Sequence, residues 1–202
     1  MASAAQPRSE SARRAQLLER SYDYVLTHGL ASVSLRPLAA AVGSSPRVLL
    51  FLFGSKDGLV RALLARARAE ETELPALDPA TADLPAAALQ VWEWLSADRH
   101  RGLLRLWVES YARSLIEPDG PWGPFARETV DDWLALLAAA QPAGERQTEA
   151  GIAQRTLVLA VLRGALLDLL ATGDRERTTR AVRRALSARG FEPCAGDHLQ
   201  LV

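Results

Sequence analysis

The chain has 202 residues, enough for one or two domains with real cores, and 49% of them are apolar, with Ala, Leu and Arg abundant and β-branched residues other than Val scarce. That composition favours helices. One cysteine, Cys194, excludes an internal disulfide, and the absence of any run of about eighteen apolar residues or of an N-terminal apolar h-region excludes a membrane span and leads us to expect a cytoplasmic protein. The formal charge of zero hides a split: residues 1–70 hold ten Lys/Arg against five Asp/Glu, a net of +5, leaving −5 for residues 71–202 and pointing to an anionic partner at one end.

In chain order, residues 1–9 are small, polar and broken by Pro7, and read as a disordered leader. Ser9 or Ser11 caps a first helix running to about His28, with Leu17, Leu18, Ser21, Tyr24 and Val25 on one face and Gly29 as its stop. Ser34 caps a short helix over residues 35–42, with Pro37 in the first turn where its missing N–H does no harm. Gly43 closes that helix, Ser44 and Ser45 turn the chain, and Pro46 opens a third helix ending at Gly54. Ser55 then caps a fourth, through Leu59, Leu63 and Ala67 to about Glu73. Three prolines in residues 74–85 place a boundary there, so a first domain spans residues 10–73 and a second residues 85–190, with 191–202 as a tail. The second carries helical segments at about 85–97, 100–116, 122–140, 146–172 and 174–189. No strand alternation or internal repeat is present. The expected class is all-α, with about nine helices.

Within residues 34–59, two short helices joined by a tight Gly-containing turn and preceded by a supporting helix have the layout of a helix-turn-helix. Leu38, Ala39 and Val42 supply one locking face, Leu49 and Phe53 the other. At 3.6 residues per turn, Ser45, Arg47, Val48, Leu50 and Phe51 then project away from the lock.

These residues carry a resemblance to the TetR family of transcriptional regulators. The family's N-terminal pattern has a capping Thr or Ser, an Ile-Ala pair, a turn Gly, a Ser, a Leu-Tyr pair, a Phe, then Ser-Lys and a Leu. Here those positions read Ser34, Leu38-Ala39, Gly43, Ser45, Leu49-Leu50, Phe53, Ser55-Lys56 and Leu59, without a gap, and the match covers about residues 11–68. The chain departs where the family commonly has a Tyr and a His that reach DNA phosphates, which are here Leu50 and Leu52, and Pro46, Arg47 and Val48 stand at the usual start of the recognition helix. The resemblance implies binding to double-stranded DNA. Phosphates would then be met by helix N-termini, Ser34, Ser44, Ser45, Arg36 and Lys56, while Arg47, beside Pro46, would read guanine and Val48, Leu50 and Phe51 would lie on the side that meets the bases.

For the second domain the resemblance implies a helical bundle that binds a small-molecule effector and forms a homodimer through its last two helices. Residues 152–173 are apolar around most of the helix, and such a helix must be covered on both sides; Ala160, Gly164 and Leu167, with Ala181, Val182 and Ala185 of the following helix, are the candidate interface. Aromatic residues concentrate between 92 and 133, and Trp92, Trp107, Tyr111, Phe125 and Trp133, with the polar Ser114, are candidates for lining an apolar or aromatic ligand's pocket. Glu109 and Arg113 read as a mutual surface ion pair. No catalytic motif, metal-ligand spacing or cofactor fingerprint is present, so no catalytic residue, metal or cofactor is expected. The reading is a ligand-responsive regulator, expected to be a repressor, on a near-palindromic operator. The alternative is a helical protein of the same shape without specific DNA binding, acting as a ligand-binding or interaction module.

Overall fold

A computed structural model of the chain describes residues 6–30, 34–71 and 83–187. Among them there is no strand; nine α-helices follow one another, α1 (Gln6–His28), α2 (Leu35–Ala41), α3 (Pro46–Phe53), α4 (Lys56–Glu71), α5 (Leu84–Leu95), α6 (Arg101–Ile116), α7 (Phe125–Ala139), α8 (Glu149–Thr172) and α9 (Arg175–Leu186). Several helices begin at capping residues that satisfy otherwise orphaned amides: Asp83 accepts the Ala86 amide at 2.8 Å, Thr148 that of Gly151 at 3.0 Å and Asp174 that of Arg177 at 3.0 Å. α1 starts at Gln6, so residues 6–9 of the expected leader are helical, with Pro7 in a first turn that does not need its N–H. The tail and Cys194 lie outside the described residues.

The chain divides into two compact units, the described parts of 1–74 with 99–130, and those of 75–98 with 131–202. This division differs from a single boundary near residue 85. α6 groups with the N-terminal helices because it lies against α1 and α4. At its start the approach is close: a Cβ at Gly102 would come within 3.0 Å of the Leu26 carbonyl oxygen.

The core of the first unit includes Leu17, Tyr22 and Val25 of α1, Leu38 and Ala39 of α2, Leu49 and Phe53 of α3, Leu59, Leu63 and Ala67 of α4, and Leu103, Leu106 and Trp107 of α6. Tyr22 is buried where Tyr24 was expected; Tyr24 instead stacks on His28 with ring centroids 4.1 Å apart. In the second unit α5, α8 and α9 lie against one another, burying Ala88, Val91 and Trp92 of α5, Val158, Leu162 and Leu166 of α8, and Thr178, Val182 and Leu186 of α9. On α9 these three stand at i, i+4 and i+8, one face of a helix.

Candidate nucleic-acid interface

α3 lies against α1, α2 and α4 through Leu49 and Phe53, which are 0% and 8% exposed. The turn that delivers it needs a left-handed residue, and Gly43 supplies one with φ +67°. The opposite arc of the helix faces solvent: Arg47 is exposed, Val48 and Leu50 are 37% and 38% exposed, and Phe51 is 73% exposed. Ser45 caps α3 by accepting the Val48 amide on its hydroxyl at 3.3 Å. Pro46 has no N–H, so the Arg47 amide is the one first-turn donor left for an anion.

Three exposed cations have no ion-pair partner among the described residues: Arg47 on the arc itself, Arg36 on α2, and Lys56 at the start of α4. Ser34 is exposed at the N-cap of α2, its hydroxyl making no cap hydrogen bond. Ser55 accepts the Gly58 amide at 2.9 Å, which fixes the first turn on which Lys56 stands beside Asp57. Other arginines of the basic segment hold the unit together. Arg14 donates to the Leu52 carbonyl at 3.3 Å and lies 4.9 Å over the Phe53 ring, and Arg20 donates to the Val42 carbonyl at 3.3 Å. Both carbonyls stand at helix C-termini, where no intrahelical partner exists. Arg66 bonds to Glu19 at 2.9 Å, which raises its pKa, and lies 4.7 Å over the Tyr22 ring.

The candidate effector-binding aromatics fall in both units. In the first, Trp107 is 6% exposed with its ring 5.1 Å from that of Tyr111, and Phe125 lines a pocket of about 210 Å³ with Trp122, Arg61 and Leu64. In the second, Trp92 donates its indole N–H to Thr179 at 3.0 Å beneath an open groove of about 770 Å³ between α5 and α9, and Trp133 is 8% exposed. The outer side of α8 is uncovered: Ala153, Leu157, Ala160, Gly164, Leu167 and Ala171 are all exposed, Leu157 and Leu167 each by 50%. Among the described residues no cluster of three or more His, Cys, Asp or Glu is placed to hold a metal ion, and no helix is long and apolar enough to cross a membrane.

No protein-family model and no curated protein matches the chain. Solved structures do. The chain is similar to the multidrug binding protein EbrR in complex with proflavin, at 27% identity over 85% of this chain and 98% of that one, with a TM-score of 0.59. It is similar to the same protein in complex with imidazole at 26% identity, 86% and 89% coverage and a TM-score of 0.61. A TetR-like transcriptional regulator from Rhodococcus sp. aligns with it at 21% identity, 89% and 95% coverage and a TM-score of 0.57. The chain has the TetR-family fold. These neighbours are named as regulators or binding proteins, not as enzymes.

In this TetR-fold chain the expected head register holds position by position: Ser34 and Ser45 are N-caps, Leu38, Ala39, Leu49 and Phe53 are core, and Gly43 is the turn. Three expected site residues stand elsewhere. Ser44 turns its hydroxyl into the protein, where its oxygen is buried, so it does not face a phosphate. Ser114 donates to the Gly123 carbonyl at 2.8 Å and accepts the Ala126 amide at 3.1 Å, so it ties α6 to the start of α7 instead of offering a polar handle to a ligand. Val182 is 0% exposed and belongs to the core of the second unit, while its neighbours Ala181 and Ala185 remain accessible. The structural tasks of Arg14 and Arg20 were missed by sequence reasoning, because their acceptors are backbone carbonyls 38 and 22 residues away.

Proposed function

We propose that the chain is an effector-responsive DNA-binding transcriptional regulator, acting in the cytoplasm as a homodimer and repressing from a near-palindromic operator. One observation carries the DNA-binding part: α3 is held in a helix-turn-helix with its outward arc free of carboxylates, Arg47 exposed on that arc, and Arg36 and Lys56 exposed on the preceding and following helices. Phosphate contacts fall to Ser34, Ser45, Arg36 and Lys56, and base readout to Arg47 with Val48, Leu50 and Phe51. The likeness to TetR-like regulators supports the same reading.

Dimerisation through α8 and α9 is supported by the uncovered stripe Ala153, Leu157, Ala160, Gly164, Leu167 and Ala171, spaced alternately four and three residues apart. That is the seam of a paired helix, and its small residues permit close approach. Ala181 and Ala185 are accessible on α9. An apolar or aromatic effector is supported by Trp92, Trp107, Tyr111, Phe125 and Trp133, and by the proflavin complex of the multidrug binding protein. Effector binding shifts the dimer toward a form that no longer fits the operator.

Full-length protein mixed with fragments of its own genome tests the reading. Enrichment of a palindromic site, with affinity falling as salt rises and lost in Arg47→Ala, is the expected result. Weak binding indifferent to sequence would instead favour an interaction module, the reading to which the exposed Leu50 and Phe51 otherwise lend weight.

A further inference from the structure

Resting on the DNA-binding reading above, the geometry points to an operator read mainly through thymine methyl groups: a guanine at Arg47, with thymines in the major groove beneath Val48, Leu50 and Phe51, and G·C pairs excluded there. α3 reads PRVLLFLF, and Arg47 is its only side chain able to hydrogen-bond a base edge. At about 100° per residue, Arg47 and Phe51 stand near the centre of the outward arc, with Leu50 on one flank and Val48 on the other, opposite the buried Leu49 and Phe53.

The main chain does not make up for the missing donors. Pro46 has no N–H and the Val48 amide is held by Ser45, so apart from the Arg47 amide, which suits a phosphate, the helix presents one guanidinium and three apolar side chains. In the major groove the thymine C5-methyl is the apolar group that distinguishes one base from the others. An apolar side chain over a G·C pair gains no methyl contact and strips water from guanine O6 and N7 and from cytosine N4 without replacing their hydrogen bonds. The same side chain over thymine buries a methyl group. Attraction to one base and exclusion of another therefore act at the same positions. Arg36 and Lys56, exposed on the helices before and after α3, supply positive charge for the phosphates that border a major groove.

The test uses the full chain and synthetic duplexes. Sites are first selected from a random pool, and each thymine of the enriched site is then replaced by deoxyuridine, which removes the methyl group and leaves base pairing intact. The expected result is a loss of about fourfold in affinity for each methyl that lies beneath α3, with thymines elsewhere unaffected. Val48→Ala and Leu50→Ala should abolish the loss at their own positions, and because both side chains are partly exposed the melting temperature should stay near that of the parent. Should either variant fail to fold, the deoxyuridine series on the unaltered chain decides the matter alone. A selected site whose affinity is unchanged by every deoxyuridine, or one with no thymine beneath α3, overturns the methyl readout while leaving DNA binding intact. A pool that yields no enriched duplex overturns the DNA-binding reading itself.

Discussion

Glu109 links α6 to the end of α1. The chain leaves α1 at Gly29, and the next amide, that of Leu30, donates to Glu109 Oε2 at 2.9 Å; a Cβ at position 29 would come within 3.3 Å of that same oxygen. Leu30 is 3% exposed, so its amide has little access to water if the carboxylate is removed. Glu109→Ala should therefore lower the stability of the first unit by about 1–3 kcal/mol, the usual effect of orphaning a buried donor. Glu109→Gln keeps an acceptor and should lose less, as urea melts of the two variants would show. The residues themselves suggested an ion pair with Arg113, and that pair exists at 3.7 Å. Its second task was illegible because the partner lies 79 residues away in sequence. A second residue-scale constraint is Gly58, where a Cβ would overlap the carbonyl oxygen of Phe53. Gly58→Ala should force α3 and α4 apart, lowering the melting temperature and the affinity for operator DNA together.

At the scale of elements, what reads from the sequence is what local chemistry decides. Ser45 and Ser55 act as caps, and Gly43 and Gly54 take φ of +67° and +77° after the short helices, because these side chains and backbones satisfy helix ends by themselves. Which face of a helix is buried depends on its neighbours, so Tyr22 replaces Tyr24 in the core and Val182 leaves the outward face of α9. The corner between α8 and α9 is set by a charge pair: Arg177 donates to both oxygens of Asp168, at 2.7 and 2.6 Å. This holds the Asp168 carboxyl below its ordinary pKa, chiefly through the hydrogen bond from Arg177. A lowered folded-state pKa contributes stability above the unfolded-state value, near 4, and that contribution is lost as pH falls through the lowered value. Thermal melts of the parent and Asp168→Asn should thus differ at pH 7 and converge in strong acid. The difference should be small, since both side chains are solvent-exposed.

For the whole molecule, the proposed homodimer is what would couple the stripe on α8 to the surface of α3. A helix apolar around most of its circumference led to the expectation of cover on both sides; in the single chain α5 and α9 lie against α8, and Leu157 and Leu167 are left 50% exposed. The sequence named Ala160, Gly164 and Leu167 of this exposed stripe but not Leu157, since Leu159, Leu162 and Leu166, which are buried, are chemically equivalent to the leucines that are not. Only packing distinguishes them. If α8 is the seam of the dimer, Leu157→Arg with Leu167→Arg places two like charges per chain across a two-fold axis and desolvates them, which should yield monomers by analytical ultracentrifugation. Neither change removes a buried side chain, so the helical content and melting behaviour of each monomer should persist. Both substitutions lie outside the helix-turn-helix, so an isolated half-site should still be bound as weakly as before. Full-operator affinity should fall by at least about a hundredfold, because the second head would no longer be held at high effective concentration beside the first. A charged double variant that remains dimeric would move the interface off this stripe, and one that turns monomeric yet keeps full operator affinity would show that a single head suffices.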